Sequence, residues 1–149
     1  DSSVPGSPDG HLAYGELVFL DTALRMHPEL PALVCLHHNP VPTGTPWLDT
    51  MTVSNGAALF AVLDHYPLVR AVVWGHIHAE FSARRGDIRL LGTPATCMQF
   101  KPNTPEPQLD DLPPGYRWFE LYPDGRLETG VERMALTARP LGLTRRVPA

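Results

Sequence analysis

Apolar positions recur along this chain in two rhythms, helical in the first half and alternating in the second. Leu17, Leu20 and Leu24 return at spacings of three and four, predicting a short amphipathic helix over residues 13–27 that ends before Pro28. The unbroken run Ala32-Leu33-Val34-Cys35-Leu36 predicts a strand buried on both faces. Ser54 is placed to cap a second helix over residues 54–65, with Leu59, Phe60, Leu63 and Tyr66 turned inward. A second apolar run over residues 69–74 stops at Gly75. Helix, strand, helix, strand is the rhythm of an α/β layer with parallel strands.

Beyond His78 the pattern changes to alternation. Residues 80–84 and 88–91, joined by Arg85-Gly86-Asp87, predict an antiparallel hairpin, and residues 116–122 and 126–134 predict another about Pro123-Asp124-Gly125. Residues 1–12 read as loop, as do residues 93–114 with their six prolines. The tail over residues 137–149 reads as loose, leaving residues 1–136 as the folded unit.

Composition narrows the function classes. With 43% hydrophobic and 19% charged residues, the chain is not disordered. Seventeen prolines among 149 residues, about 11% and roughly twice ordinary usage, exclude a mostly helical bundle. A net charge of −4 without any Lys/Arg run longer than a pair argues against a nucleic-acid polymer as partner. No apolar run is long enough to span a bilayer, and the first residues carry no signal-peptide pattern. A cytoplasmic location is therefore expected, with Cys35 and Cys97 read as a reduced core pair rather than a disulfide.

Chemistry concentrates at the strand ends. Leu36-His37-His38-Asn39-Pro40 closes the first strand and Gly75-His76-Ile77-His78 the second. Ligand sites in open α/β sheets form beyond the carboxyl ends of parallel strands, so both clusters should share one edge. On extended backbone, His76 and His78 would project from one face at about 6.5–7 Å, a spacing suited to two metal ions ~3.5–4 Å apart. Gly75 would supply the sharp turn. Alone, a His-x-His pair is more often a surface pair or a pair of hydrogen-bonded turn residues; a histidine cluster after each of two apolar strands points to a shared metal site. Trp47 and Leu48 read as core, or as the wall of a nucleobase pocket, while Trp74 and Trp118 read as core.

These motifs resemble the last two metal motifs of the calcineurin-like metallophosphoesterases. The stretch from Leu91 to Pro102, containing Thr93-Pro94-Ala95-Thr96-Cys97, followed by Gly115-Tyr116-Arg117-Trp118, is similar to the bacterial 3′,5′-cyclic-AMP phosphodiesterases of that family. Asp1-Ser2 with Gly10-His11-Leu12 matches the segment that precedes their helix. The resemblance covers nearly the whole chain. It implies the C-terminal part of a four-layer α/β/β/α sandwich, with a mixed sheet of parallel strands followed by antiparallel hairpins. It implies His37 and His76 as ligands of one metal, His78 as ligand of the other, and two divalent ions (Mn, Fe or Zn) in a full-length parent. His38 and Asn39 are candidates for contacting substrate, His38 equally for supporting the metal ligands. The implied reaction is hydrolysis of a 3′,5′-cyclic nucleotide, with cyclic AMP first, by water activated between the ions.

The resemblance is incomplete. The family's earlier Asp-x-His, Gly-Asp and Gly-Asn-His motifs should precede His37. Asp9-Gly10-His11 fits the first by letter but sits in a turn, Gly86-Asp87 follows the last cluster, and Gly-Asn-His does not occur. Asp49 and Asp64 are the nearest acids, and neither ends a strand. The catalytic residue is therefore unassigned, and the expectation is a portion of an enzyme, weak or inactive alone. Two other readings stay open: a non-catalytic module that forms a homodimer through exposed sheet edges, and a hydrolase with a single ion on three histidines.

Overall fold

The structure, a computed structural model, describes residues 1–134. The first ten residues are not loop. β1 (Ser3–Val4) and β2 (Ser7–Gly10) form a small antiparallel hairpin, and Ser54 N–H donates to the Gly10 carbonyl at 2.8 Å. Helix α1 (Tyr14–Met26) follows the leucine spacing and lays Leu17, Leu20 and Leu24 on the core. Its opposite side leaves Tyr14, Phe19 and Met26 largely exposed.

β3 (Ala32–Leu36) leads into a proline-rich segment that holds one helical turn, α2 (Pro46–Asp49). Helix α3 (Gly56–Leu63) starts later than expected, with Asn55 rather than Ser54 before its first turn. The Ser54 hydroxyl is engaged elsewhere, 2.9 Å from His11 Nδ1. Asn55 instead accepts from Leu12 N–H at 2.9 Å and donates to the Leu12 carbonyl at 2.8 Å. It thereby ties the entry of α1 to the start of α3.

β4 (Val69–Trp74), β5 (Phe81–Arg85) and β6 (Ile88–Gly92) complete the main sheet, in the order β3-β4-β6-β5. β3, β4 and β6 are parallel and β5 is antiparallel, so the expected hairpin also returns a parallel strand to β4. Residues 93–114 contain β7 (Gln99–Phe100) paired with β8 (Leu109–Asp110), a short ladder absent from the sequence reading. β9 (Gly115–Leu121) and β10 (Leu127–Arg133) form the second expected hairpin as a separate two-stranded sheet. Residues 137–149, expected to be loose, lie outside the described residues.

Side chains alternating along β4 serve two cores. Val72 and Trp74 join Leu59, Phe60 and Leu63 of α3 on one face, while Ala71 and Val73 meet Leu91, Phe119 and Leu127 on the other. β4 is almost wholly buried because both faces are covered. β3 departs from expectation. It is the edge strand, its residues are half-buried, and Cys35 is exposed. Cys97 is exposed as well, so the two cysteines are free surface thiols rather than a core pair. Trp118 is also outside the core, its ring lying on Gly130 of the neighbouring strand.

Asn55→Ala should lower stability by about 1–3 kcal/mol, because Leu12 loses its partners for both backbone groups. Urea unfolding checks this; an unchanged midpoint would contradict the role given to Asn55.

Candidate metal centre

The parallel register sets Leu36 beside Trp74, so the residues after each strand emerge together. His37, His38 and His76 converge, with one ring nitrogen from each lying within 4.8 Å of the others. Ring centroids are 4.8 Å apart for His37–His38, 5.2 Å for His37–His76 and 4.8 Å for His38–His76. The expectation that both clusters share one sheet edge is met.

The local backbone differs from the extended geometry expected of His-x-His. His76 has φ +56° and His78 φ +45°, and Ile77 N–H donates to the Gly75 carbonyl across His76 at 2.6 Å. The chain therefore makes a three-residue turn centred on His76. The histidines, not Gly75, take the left-handed conformation, which costs on the order of 1–3 kcal/mol for a non-glycine residue. Thr93 anchors the strand end by donating its N–H and hydroxyl to the Trp74 carbonyl at 2.9 and 3.0 Å. The turn buries Ile77 in the core and sends the two histidines different ways.

His78 consequently stands outside the three-histidine group. Its Nδ1 lies 3.0 Å from the Met98 carbonyl, and its ring stacks on Phe100 at 4.6 Å and 14°. Phe100 in turn meets Trp47 edge-on at 5.0 Å, giving Trp47 a packing role, while Leu48 is buried in the core. A carbonyl only accepts, so Nδ1 carries the proton and a neutral His78 keeps its Nε2 lone pair.

His38 is the buried member of the group. Ser2, itself buried, places its hydroxyl 2.9 Å from His38 Nδ1 and accepts from His38 N–H at 3.5 Å. Gly10 makes room for this ring, since a Cβ there would lie 2.8 Å from His38 Cβ and Cγ. A partner on Nδ1 fixes the ring and leaves Nε2 for a ligand, as is usual for metal-binding histidines. Asn39 is fully buried; its amide donates to the Val41 carbonyl at 2.9 Å and its Oδ1 has no partner among the described residues.

Burial disfavours the charged form of two of these imidazoles, His76 and His38. Burial, followed by the charges of His38, His37 and His78, pulls His76 down to about 4. His38 is lowered too, by burial and then by His37, against the opposing effects of the Pro8 carbonyl and Asp9. His76 Nε2 is buried without a hydrogen-bond partner among the described residues. An uncompensated buried polar atom costs about 1–3 kcal/mol, and a cation beside it would remove that penalty. The donor set fits a divalent transition ion, because unprotonated imidazole is the ligand form such ions take.

No carboxylate joins the group among the described residues. Asp49 accepts from Thr43 N–H, Thr43 Oγ1 and Gly44 N–H at 2.7, 3.0 and 2.9 Å, which fixes the proline-rich loop. Asp64 pairs with Arg85. Nothing local in the sequence marks Ser2, Met98 and Phe100 as contributors to the site. Gln99, buried and bonded to Ala95 and Cys97, holds the turn that presents the Met98 carbonyl.

A histidine cluster at the carboxyl ends of parallel strands defines the chain as a mixed α/β protein with a candidate metal centre. Comparison with known proteins gives the particular kind. The chain is 48% identical over 134 residues to the 3′,5′-cyclic adenosine monophosphate phosphodiesterase CpdA of Pseudomonas aeruginosa, covering 90% of this chain and 49% of that protein. It is 43% identical over 137 residues to CpdA of Escherichia coli K12, covering 92% and 50%. It is 40% identical over 134 residues to a 3′,5′-cyclic-nucleotide phosphodiesterase of Nostoc, covering 90% and 50%. No protein-family model matches the chain. The chain is therefore homologous to a portion of the bacterial cyclic-AMP phosphodiesterases, and it spans about half the length of these curated relatives. No helix among the described residues is long and apolar enough to cross a membrane.

In metal-free protein, the His76 ring protons should titrate near pH 4 in an NMR series. The folded value lies below the unfolded value of about 6.5, so stability is full above that pH and declines as pH falls toward 4. An ordinary midpoint for His76 would contradict the burial described.

Proposed function

We propose that this chain supplies the histidine half of the metal centre of a phosphodiesterase that hydrolyses 3′,5′-cyclic nucleotides, with cyclic AMP first. The observation that carries the reading is the convergence of His37, His38 and His76 at one strand edge in a chain homologous to cyclic-AMP phosphodiesterases. His37 and His76 are assigned to one divalent ion and His78, through its free Nε2, to the other. Mn, Fe and Zn all suit this donor set. Such ions, when bound, would polarise the phosphodiester and lower the pKa of water.

The chain's own residues position these groups. Ser2 orients His38, which is assigned to the substrate phosphate; Asn39, fully buried with its amide on the Val41 carbonyl, supports the loop beneath it, and Met98 and Phe100 fix the ring of His78. The carboxylates absent from the cluster are assigned to the part of the relatives' length that this chain does not span. That part would also extend the sheet at β3 and cover the exposed side of α1, completing the four-layer α/β/β/α sandwich. On this reading residues 1–136 are a portion of one domain, cytoplasmic, and weak or inactive alone.

A single-ion site is the second reading, favoured by the 4.8 Å grouping of three ring nitrogens that includes His38. Metal analysis separates the two, since one ion retained by this chain alone supports the second reading.

In the full-length protein with Mn²⁺, His76→Ala should reduce cyclic-AMP hydrolysis by about a hundredfold or more, while His65→Ala should not. Unchanged hydrolysis in His76→Ala would overturn the assignment.

A further inference from the structure

The amino ends of the parallel strands carry the opposite chemistry. Arg70 of β4, Arg84 of β5 and Arg89 of β6 line one cavity of about 260 Å³ with Asp87, Gly125 and Leu127. Arg84 and Arg89 face each other across the antiparallel pair, and Arg89 neighbours Ala71 in β4. The third arginine reaches them through an irregularity. Ala32 pairs with Val69 and Leu33 with Ala71, so Arg70 is an extra residue in β4. Regular alternation would turn Arg70 to the face opposite Ala71 and Arg89; the bulge re-aims it.

The opposite wall is shaped to receive it. Gly125, at φ +80° in the turn between β9 and β10, lies over the Arg70 guanidinium, and a Cβ there would sit 2.7 Å from Nε. Arg70 Nε is buried without a hydrogen-bond partner among the described residues. Arg89 spends one N–H on the Leu127 carbonyl at 3.0 Å. None of the three arginines forms an ion pair among the described residues, although Arg85, Arg117 and Arg126 do. Three guanidinium groups against the single carboxylate of Asp87 leave a surplus of positive charge in a partly enclosed cavity. Planar, multi-donor guanidinium groups match tetrahedral oxyanions.

We infer that this cavity is a binding site for a phosphate-class oxyanion, separate from the histidine cluster and at the other end of the same sheet. The ligand is either free phosphate or the phosphate of a small nucleotide.

Calorimetric titration of the protein carrying His37→Ala and His76→Ala tests this, because that background weakens the histidine cluster as a competing site. Inorganic phosphate should bind saturably in the millimolar range or tighter. Arg84→Gln, at an exposed position, should weaken binding about tenfold without changing the circular dichroism spectrum. Arg70→Gln should do at least as much. Equal affinity for adenosine monophosphate and phosphate would identify free oxyanion as the ligand, and tighter adenosine monophosphate a nucleotide phosphate. Absence of saturable phosphate binding, or binding unaffected by both arginine substitutions, would overturn the inference.

Discussion

Parallel pairing of β3 with β4 is the constraint on which the histidine site depends. Once Leu36 lies beside Trp74, His37, His38 and His76 leave neighbouring strand ends and have one place to go. A slip of one residue would turn the apolar side chains of β4 to the wrong faces. Because β4 feeds a core on each side, with Val72 and Trp74 on one and Ala71 and Val73 on the other, such a slip would disrupt both. The register that the cores enforce is the register the site needs.

The site in turn holds features that a stability argument alone does not explain. Two non-glycine left-handed residues, His76 and His78, flank Ile77, and His76 keeps a buried nitrogen with no partner among the described residues. Strain and an orphaned polar atom together persist where the surroundings fix them. Here the anchors are Thr93 on the Trp74 carbonyl, Ile77 in the core, and the clamp of Met98 and Phe100 on His78. Low proton affinity at His76 follows from the same burial. A ring held neutral and without a partner among the described residues suits the cation that the proposed function assigns to it.

Much of this was legible in the chain itself. Leucine spacing located α1, the apolar runs located β3 and β4, and the two turn sequences located both long hairpins. The histidines at the strand ends marked the place where three of them converge. What the sequence concealed is tertiary. Nothing in Ser2 or in the first ten residues signals a hairpin packed under His38, because the partner of Ser2 is 36 positions away. The burial of β3 was overestimated because an apolar run does not reveal that its strand lies at a sheet edge. His-x-His read as extended chain became a turn because Ile77 is drawn into the core. The three arginines at the other end of the sheet went unnoticed for the same reason, since a bulge at Arg70 leaves no local trace.

The central claim is that His37 and His76 meet to bind one ion. X-ray absorption at the zinc edge, on protein loaded with a single equivalent of Zn²⁺, tests it most directly. The account predicts the multiple-scattering signature of at least two imidazole ligands, lost when His37 and His76 are both replaced by alanine. A shell of oxygen ligands alone, or an imidazole signature unchanged by that double substitution, would contradict it.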